Sequence, residues 1–169
     1  MKSALLVIAQ QVFRDEEYAE PRRVLEERGA RVVTASVEAG RCVGKLGMVV
    51  EAETALRDAA PEDWDAVAFI GGGGSSVFFD DETAHELARR IHAEGSVVGA
   101  ICIAPSVLAH AGLLDGVRAT AFPTQREDLL AHGAIWTGGP LTVDGRIITA
   151  SGPEAAAAFG DALALALSL

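Results

Sequence analysis

Cys102 lies in the segment Gly99-Ala-Ile-Cys102-Ile-Ala-Pro105, where a short apolar strand must turn sharply into a helix. A thiol displayed at such a turn stands above a sheet, where it can act as a nucleophile or as a redox centre. The small flanking residues Gly99, Ala100 and Ala104 let backbone pass close to backbone, as a strained strand-to-helix elbow requires. Pro105 is pre-shaped for the first helical turn, and Gly112 can close the helix. A helix N-terminus beside the sulfur favours the thiolate, the form that reacts. The same residue types would also bury an ordinary free cysteine, and spacing alone leaves both readings open.

Two further groups could serve that thiol. Asp15-Glu16-Glu17 opens a helix, with Pro21 four residues past Glu17. Carboxylates in a first turn usually face water as partners of the helix dipole, and Asp15 and Glu16 are read that way. One carboxylate turned inward would reach the cysteine and carry its proton. The run Gly71-Gly-Gly-Gly74 follows a buried strand. No Lys-Ser or Lys-Thr follows it and no G-x-G-x-x-G is present, so a nucleotide loop is disfavoured. Its N–H groups suit an oxyanion site beside the elbow, because loops at the carboxyl ends of neighbouring strands meet above an open sheet; a plain tight turn is the alternative.

Apolar runs of strand length alternate with helical periodicity, the pattern of a mostly parallel sheet covered by helices on both faces. Leu5–Ala9, Arg31–Ala35, Asp65–Ile70 and Val97–Ile101 are predicted strands. Glu16–Arg28, Asp81–Ala93, the elbow helix and Glu154–Leu167 are predicted helices. Val117–Ala121 and Leu141–Ala150, the latter turning at Asp144-Gly145, supply further strand material. A small hairpin around Met48-Val49-Val50 is expected outside the main sheet. Trp64 and Trp136 read as packing residues.

The 169 residues suit one α/β domain spanning 1–169. No apolar run approaches the roughly 18 residues of a membrane span, and Ala4–Ala9 reads as a strand, not a leader, because it runs into Gln10-Gln11. A net charge of −10 argues against nucleic acid and anionic membranes, both of which are bound through Lys and Arg. The two cysteines, Cys42 and Cys102, form neither a disulfide framework nor a zinc-spaced pair, so a cytoplasmic location without metal is expected. Cys42 reads as a partly buried cysteine, a resolving role being the alternative.

The chain resembles the DJ-1/ThiJ/PfpI superfamily over nearly its whole length. The resemblance rests on Ala-Leu-Leu-Val-Ile-Ala at 4–9, Glu17 four before Pro21, Asp-Ala-Val-Ala-Phe-Ile-Gly-Gly at 65–72, Ala-Ile-Cys-Ile-Ala-Pro at 100–105, Ala-Gly-Leu-Leu at 111–114 and Val-Asp-Gly-Arg-Ile-Ile-Thr-Ala at 143–150. It implies a flavodoxin-like α/β/α sandwich, no cofactor, and a homodimer or higher homo-oligomer. It also implies a protonated Glu17 bonded to the Cys102 thiolate, and an oxyanion hole from the N–H groups of Gly72 and Ile103. Gly71, Phe122 and Pro123 are expected around the pocket.

One departure bears on chemistry. Family members that look like peptidases carry a histidine directly after the nucleophile, where this chain has Ile103. Others place one before the proline that matches Pro123, where this chain has Phe122. His85, His92, His110 and His132 read as surface or helix-packing residues. Proteolysis is therefore discounted, since its proton carrier is missing. Two functions remain. The first is glyoxalase III, deglycase or hydrolase chemistry on small reactive carbonyls through Cys102 and Glu17. The second is a stress or redox protein in which an oxidant converts Cys102 to sulfenic or sulfinic acid.

Overall fold

Alternation within β1 (Ser3–Val7) explains the layering. Ala4 and Leu6 enter one apolar cluster while Leu5 and Val7 enter the other, and all four are buried. A strand with no wettable face must be covered on both sides. The computed structural model describes residues 1–169. After β1 come β2 (Gln11–Phe13), α1 (Asp15–Glu27), β3 (Arg31–Ser36), β4 (Gly40–Gly44), β5 (Val49–Ala52), β6 (Thr54–Ala55) and β7 (Ala66–Phe69). The second half contributes α2 (Glu82–Ala93), β8 (Val97–Ile101), α3 (Pro105–His110), β9 (Arg118–Ala119), α4 (Arg126–Ala131), β10 (Ile135–Trp136), β11 (Leu141–Asp144), β12 (Ile147–Ala150) and α5 (Ala156–Ala166).

The main sheet has seven strands in the order β11-β12-β8-β7-β1-β3-β6. Every pairing is parallel except β11 with β12, the hairpin turning at Asp144-Gly145. The layered, mostly parallel α/β architecture expected from periodicity is the one observed. α1 and α5 pack together on one face, with Phe159 and Leu163 in the same cluster as Leu6 and Ile8. α2 and α3 cover the other face, where Leu87, Ile91, Val107 and Leu108 meet Val7 and Phe69.

β4 and β5 form the expected antiparallel hairpin, and β2 adds a third strand that its sequence did not announce. The strand material expected over Val117–Ala121 is shorter than that span. Only Arg118–Ala119 is extended, and it pairs with β10 in a separate two-stranded sheet. β8 already has β7 and β12 as neighbours, and the Thr120 N–H donates to the Thr149 hydroxyl at 2.9 Å instead of joining a ladder. The helix α4 was also not foreseen. It is a six-residue element, short enough for its periodicity to be lost among its neighbours.

β1, β7 and β8 lie in register, Val7 beside Phe69 and Phe69 beside Ala100. The segments leaving their carboxyl ends are residues 8–14, the glycine run and the Cys102 elbow. Chain topology thus gathers all three candidate groups above the middle of the sheet.

Candidate active site

Cys102 has φ 65°, in the left-handed region that a residue with a β-carbon adopts only at a cost. The surroundings hold it there. Its N–H donates to the Ala150 carbonyl at 2.9 Å and its carbonyl accepts from the Phe122 N–H at 2.7 Å. Both main-chain groups are tied to the segments that follow β12 and β9, so the strain stays localised at the elbow. The side chain is half-buried.

Glu17 projects from the first turn of α1 and is fully buried. Pro21 lies inside the same helix and is buried too. The Cys102 thiol and the Gly71 N–H are the polar groups nearest the Glu17 carboxyl. Neither closes a hydrogen bond of ordinary geometry with it, and both carboxyl oxygens lack a partner. Burial without partners disfavours the charged form, and it pushes the Glu17 carboxyl up to about 7.

Gly71 explains how glutamate and cysteine come so close. A β-carbon at this position would fall 2.4 Å from Glu17 Oε1 and 2.5 Å from Cys102 Cβ. Only glycine leaves the two side chains room to face each other. The Gly71 carbonyl accepts from the Arg14 N–H at 2.9 Å. In a trans peptide the next N–H points the opposite way, so the Gly72 N–H is turned toward Cys102. Gly72 has φ 97°, and its carbonyl accepts from the Ser75 N–H and hydroxyl at 3.0 and 2.9 Å. The Gly72 and Ile103 N–H groups face the sulfur and favour its anion.

Burial and the neighbouring Glu17 charge push the Cys102 thiol up to about 12. The helix N-terminus by itself therefore does not set the state of this thiol, contrary to the expectation from its place at the elbow. α3 has six residues, and its dipole and the two N–H groups are outweighed by desolvation and by a second carboxyl in the same space. Two acids this close titrate as a unit. The dyad gives up one proton near 7 and holds the other until about 12. Across the intervening range it carries a single charge. The sulfur, with two N–H groups facing it, is the better place for that charge than an unpartnered carboxylate, so Glu17 holds the remaining proton.

The dyad forms the floor of a cavity of about 350 Å³. Phe122 lines it, as expected. Gly71 and Pro123 do not: Gly71 is buried between Glu17 and Cys102, and Pro123 is exposed at the start of a short 3-10 turn, while Thr124 and Pro153 line the cavity. Arg14, Lys45 and Glu154 complete the polar rim. Arg14 is ion-paired with Glu16 at 2.9 Å. Residue-by-residue reading missed all three rim groups. Arg14 adjoins the acidic run and could have been suspected there. Lys45, Thr124 and Glu154 come from loops with no local signal. None of the four histidines lines the cavity. His85 is buried elsewhere, with Nε2 2.6 Å from the Phe79 carbonyl. Cys42 is fully buried, with Sγ 3.6 Å from both the Gly40 carbonyl and the Gln10 amide.

A half-buried cysteine on a strained elbow, backed by a buried glutamate and faced by the N–H groups of Gly72 and Ile103, defines a thiol-centred α/β protein. The DJ-1/PfpI family model matches residues 2–166, and the chain belongs to that family. It is 41% identical over 165 residues to an uncharacterized protein of Methanocaldococcus jannaschii, covering 95% of this chain and 80% of that one. It is 32% identical over 149 residues to a protein of Pyrococcus abyssi named a deglycase, covering 88% and 90% of the two chains. Among solved structures, a ThiJ/PfpI domain protein of Brachyspira murdochii superposes with a TM-score of 0.96 at 27% identity, covering 98% and 96%. DJ-1beta of Drosophila melanogaster gives 0.89 at 27%, covering 99% and 90%.

Proposed function

We propose that this protein is a cofactor-independent thiol enzyme acting on small reactive carbonyls, of the glyoxalase III or deglycase type. The observation that carries the reading is the one-proton dyad of Cys102 and Glu17 on the floor of a cavity rimmed by Arg14 and Lys45. The thiolate adds to an aldehyde carbon, forming a C–S bond as the carbonyl electron pair moves to oxygen. The Glu17 carboxyl gives that oxygen its proton, and the Gly72 and Ile103 N–H groups stabilise the charge as it develops. With a dicarbonyl such as methylglyoxal, the Glu17 carboxylate then takes the proton from the hemithioacetal carbon and returns it to the neighbouring one. The hydroxyl proton passes from the first oxygen to the second, so that the C–OH becomes the thioester carbonyl and the ketone becomes the alcohol. Water hydrolyses the resulting thioester to a 2-hydroxy acid, freeing the thiol. No external reductant or oxidant enters.

Wild-type protein is expected to convert methylglyoxal to lactate, with Cys102→Ser inactive. Lactate formation that is absent, or unchanged in Cys102→Ser, would overturn the reading. A second reading is favoured by a cavity that holds no imidazole. Here peroxide is the co-reactant: its O–O bond breaks, an S–O bond forms, Cys102 is oxidised to the sulfenate and peroxide is reduced to water. Oxidation of Cys102 by stoichiometric peroxide, in protein that consumes no methylglyoxal, would select this reading over the first.

A further inference from the structure

Away from the cavity, the last residue of α3 meets α4. His110 ends α3, Asp128 lies on α4, and His132 follows at its C-terminus. Asp128 and His132 are four apart, so a single helical face carries both. The His110 Nε2 lies 2.9 and 2.8 Å from the two Asp128 carboxylate oxygens, and its Nδ1 lies 2.7 Å from Asp80 Oδ1. The His132 ring stacks on that of His110 at 4.6 Å and 25°. Its Nδ1 lies 2.8 Å from the Asp128 main-chain carbonyl and 3.5 Å from Asp128 Oδ1, and an ion would take the place of the carbonyl contact. One ligand atom from each of His110, Asp128 and His132 falls within 4.8 Å of the others.

We propose that His110, Asp128 and His132 form a zinc-class divalent-cation site, with Asp80 as its outer carboxylate. Two imidazoles converging on one carboxylate form a mixed nitrogen and oxygen donor set, which suits Zn²⁺. Asp80 is placed as an outer partner should be. By accepting the His110 Nδ1 proton it fixes the tautomer in which Nε2 presents a lone pair to the ion. Metal–ligand bonds of about 2.0–2.2 Å require His110 and Asp128 to part slightly to admit the ion and His132 to draw in, which side chains at two helix ends accomplish by small rotations. His110, Asp128 and His132 have side-chain exposures of 18, 31 and 38%, so a cation enters from solvent and keeps room for a water ligand. Any proton on a ligating nitrogen leaves to solvent as the ion binds. The ion would tie the C-terminus of α3, the helix that begins at the elbow, to α4 and to the segment carrying Asp80.

The test is titration of the full-length chain with zinc chloride, followed by calorimetry and by thermal unfolding. It is run in wild type and in Cys102→Ser, because the thiol is itself a possible zinc ligand. One ion per chain at micromolar or lower Kd is expected in both. A Tm rise of roughly 5–10 °C is expected at about a hundredfold excess over Kd. His132→Gln and Asp128→Asn should each weaken binding at least tenfold, and Asp80→Asn by about tenfold. His132 and Asp80 are exposed side chains, so these variants should fold, which circular dichroism verifies. No binding at 100-fold molar excess, binding that disappears in Cys102→Ser, or binding unchanged in His132→Gln would each overturn the proposal.

Discussion

Asp15 and Glu17 leave the same end of α1 and enter opposite kinds of surroundings. The Asp15 carboxylate reaches the β4–β5 loop, where it accepts the Leu46 N–H at 3.0 Å and the Met48 N–H at 2.9 Å. It is nearly buried, not turned to water as carboxylates of a first helical turn usually are, because that loop folds over it. Glu17, two residues on, reaches the elbow and finds no partner for either oxygen. Two acids of almost the same chemistry therefore do different work. Asp15 spends its lone pairs fastening a loop that carries Lys45 to the cavity rim. Glu17 keeps its lone pairs unspent, so that it holds a proton at neutral pH. Unsatisfied burial is a cost in one place and a chemical resource in the other.

The largest effect should come from removing the proton without removing the shape. Glu17→Gln retains a donor for the thiolate but can neither give nor take a proton in turnover. Methylglyoxal conversion should fall about 10²–10⁴-fold, while the pH profile of Cys102 alkylation by iodoacetamide shifts less than in Glu17→Ala, where it should move upward. The same substitution alters stability in a definite direction. A carboxyl raised from 4.5 to about 7 on folding stabilises the folded state fully below the lower value, and that stability is lost as pH rises through the higher one. Wild type should lose roughly 3 kcal/mol of unfolding free energy between those limits, and Glu17→Gln should be flat across them. Denaturant melts at several pH values decide; equal slopes would mean that Glu17 is not held protonated.

Gly71→Ala should be next in size. Its β-carbon would sit 2.4 Å from Glu17 Oε1 and 2.8 Å from the Ile101 carbonyl, so backbone and dyad must separate at a cost of about 1–3 kcal/mol. Loss of the alkylation inflection near 7, together with a lower Tm, is the expected pair of results. A folded variant with unchanged thiol titration would show that the dyad does not depend on this close approach. The smallest effect on chemistry should follow from Asp15→Ala. It strands the Leu46 and Met48 N–H groups and should cost about 1–3 kcal/mol of stability, yet leave the alkylation pH profile of Cys102 unaltered. A shifted profile would dissolve the contrast between the two carboxylates.

Much of this was legible beforehand where local rules dominate. Strands such as Ala4–Ala9 and Asp65–Ile70 are continuously apolar because both their faces are covered. The elbow was legible because small residues, one cysteine and a proline stand in strict order. The shared titration of Cys102 and Glu17 was not, since a helix N-terminus is a local feature while the second acid in the same space arrives from α1. Phe122 could be placed at the cavity by its position before Pro123 in the resemblance, whereas Pro123 itself lies outside the cavity lining, at the start of a 3-10 turn.

The sequence by itself determined the alternating α/β order, the thiol at its sharpest turn and the glycine run beside it, because backbone sterics and hydrophobic periodicity act over a few residues. Tertiary structure alone decided which of three adjacent acids is left unpartnered, which loops wall the cavity, and that His110, Asp128 and His132 meet. Those outcomes depend on desolvation and on hydrogen-bond partners brought from distant parts of the chain, and neither exists until the sheet has gathered them.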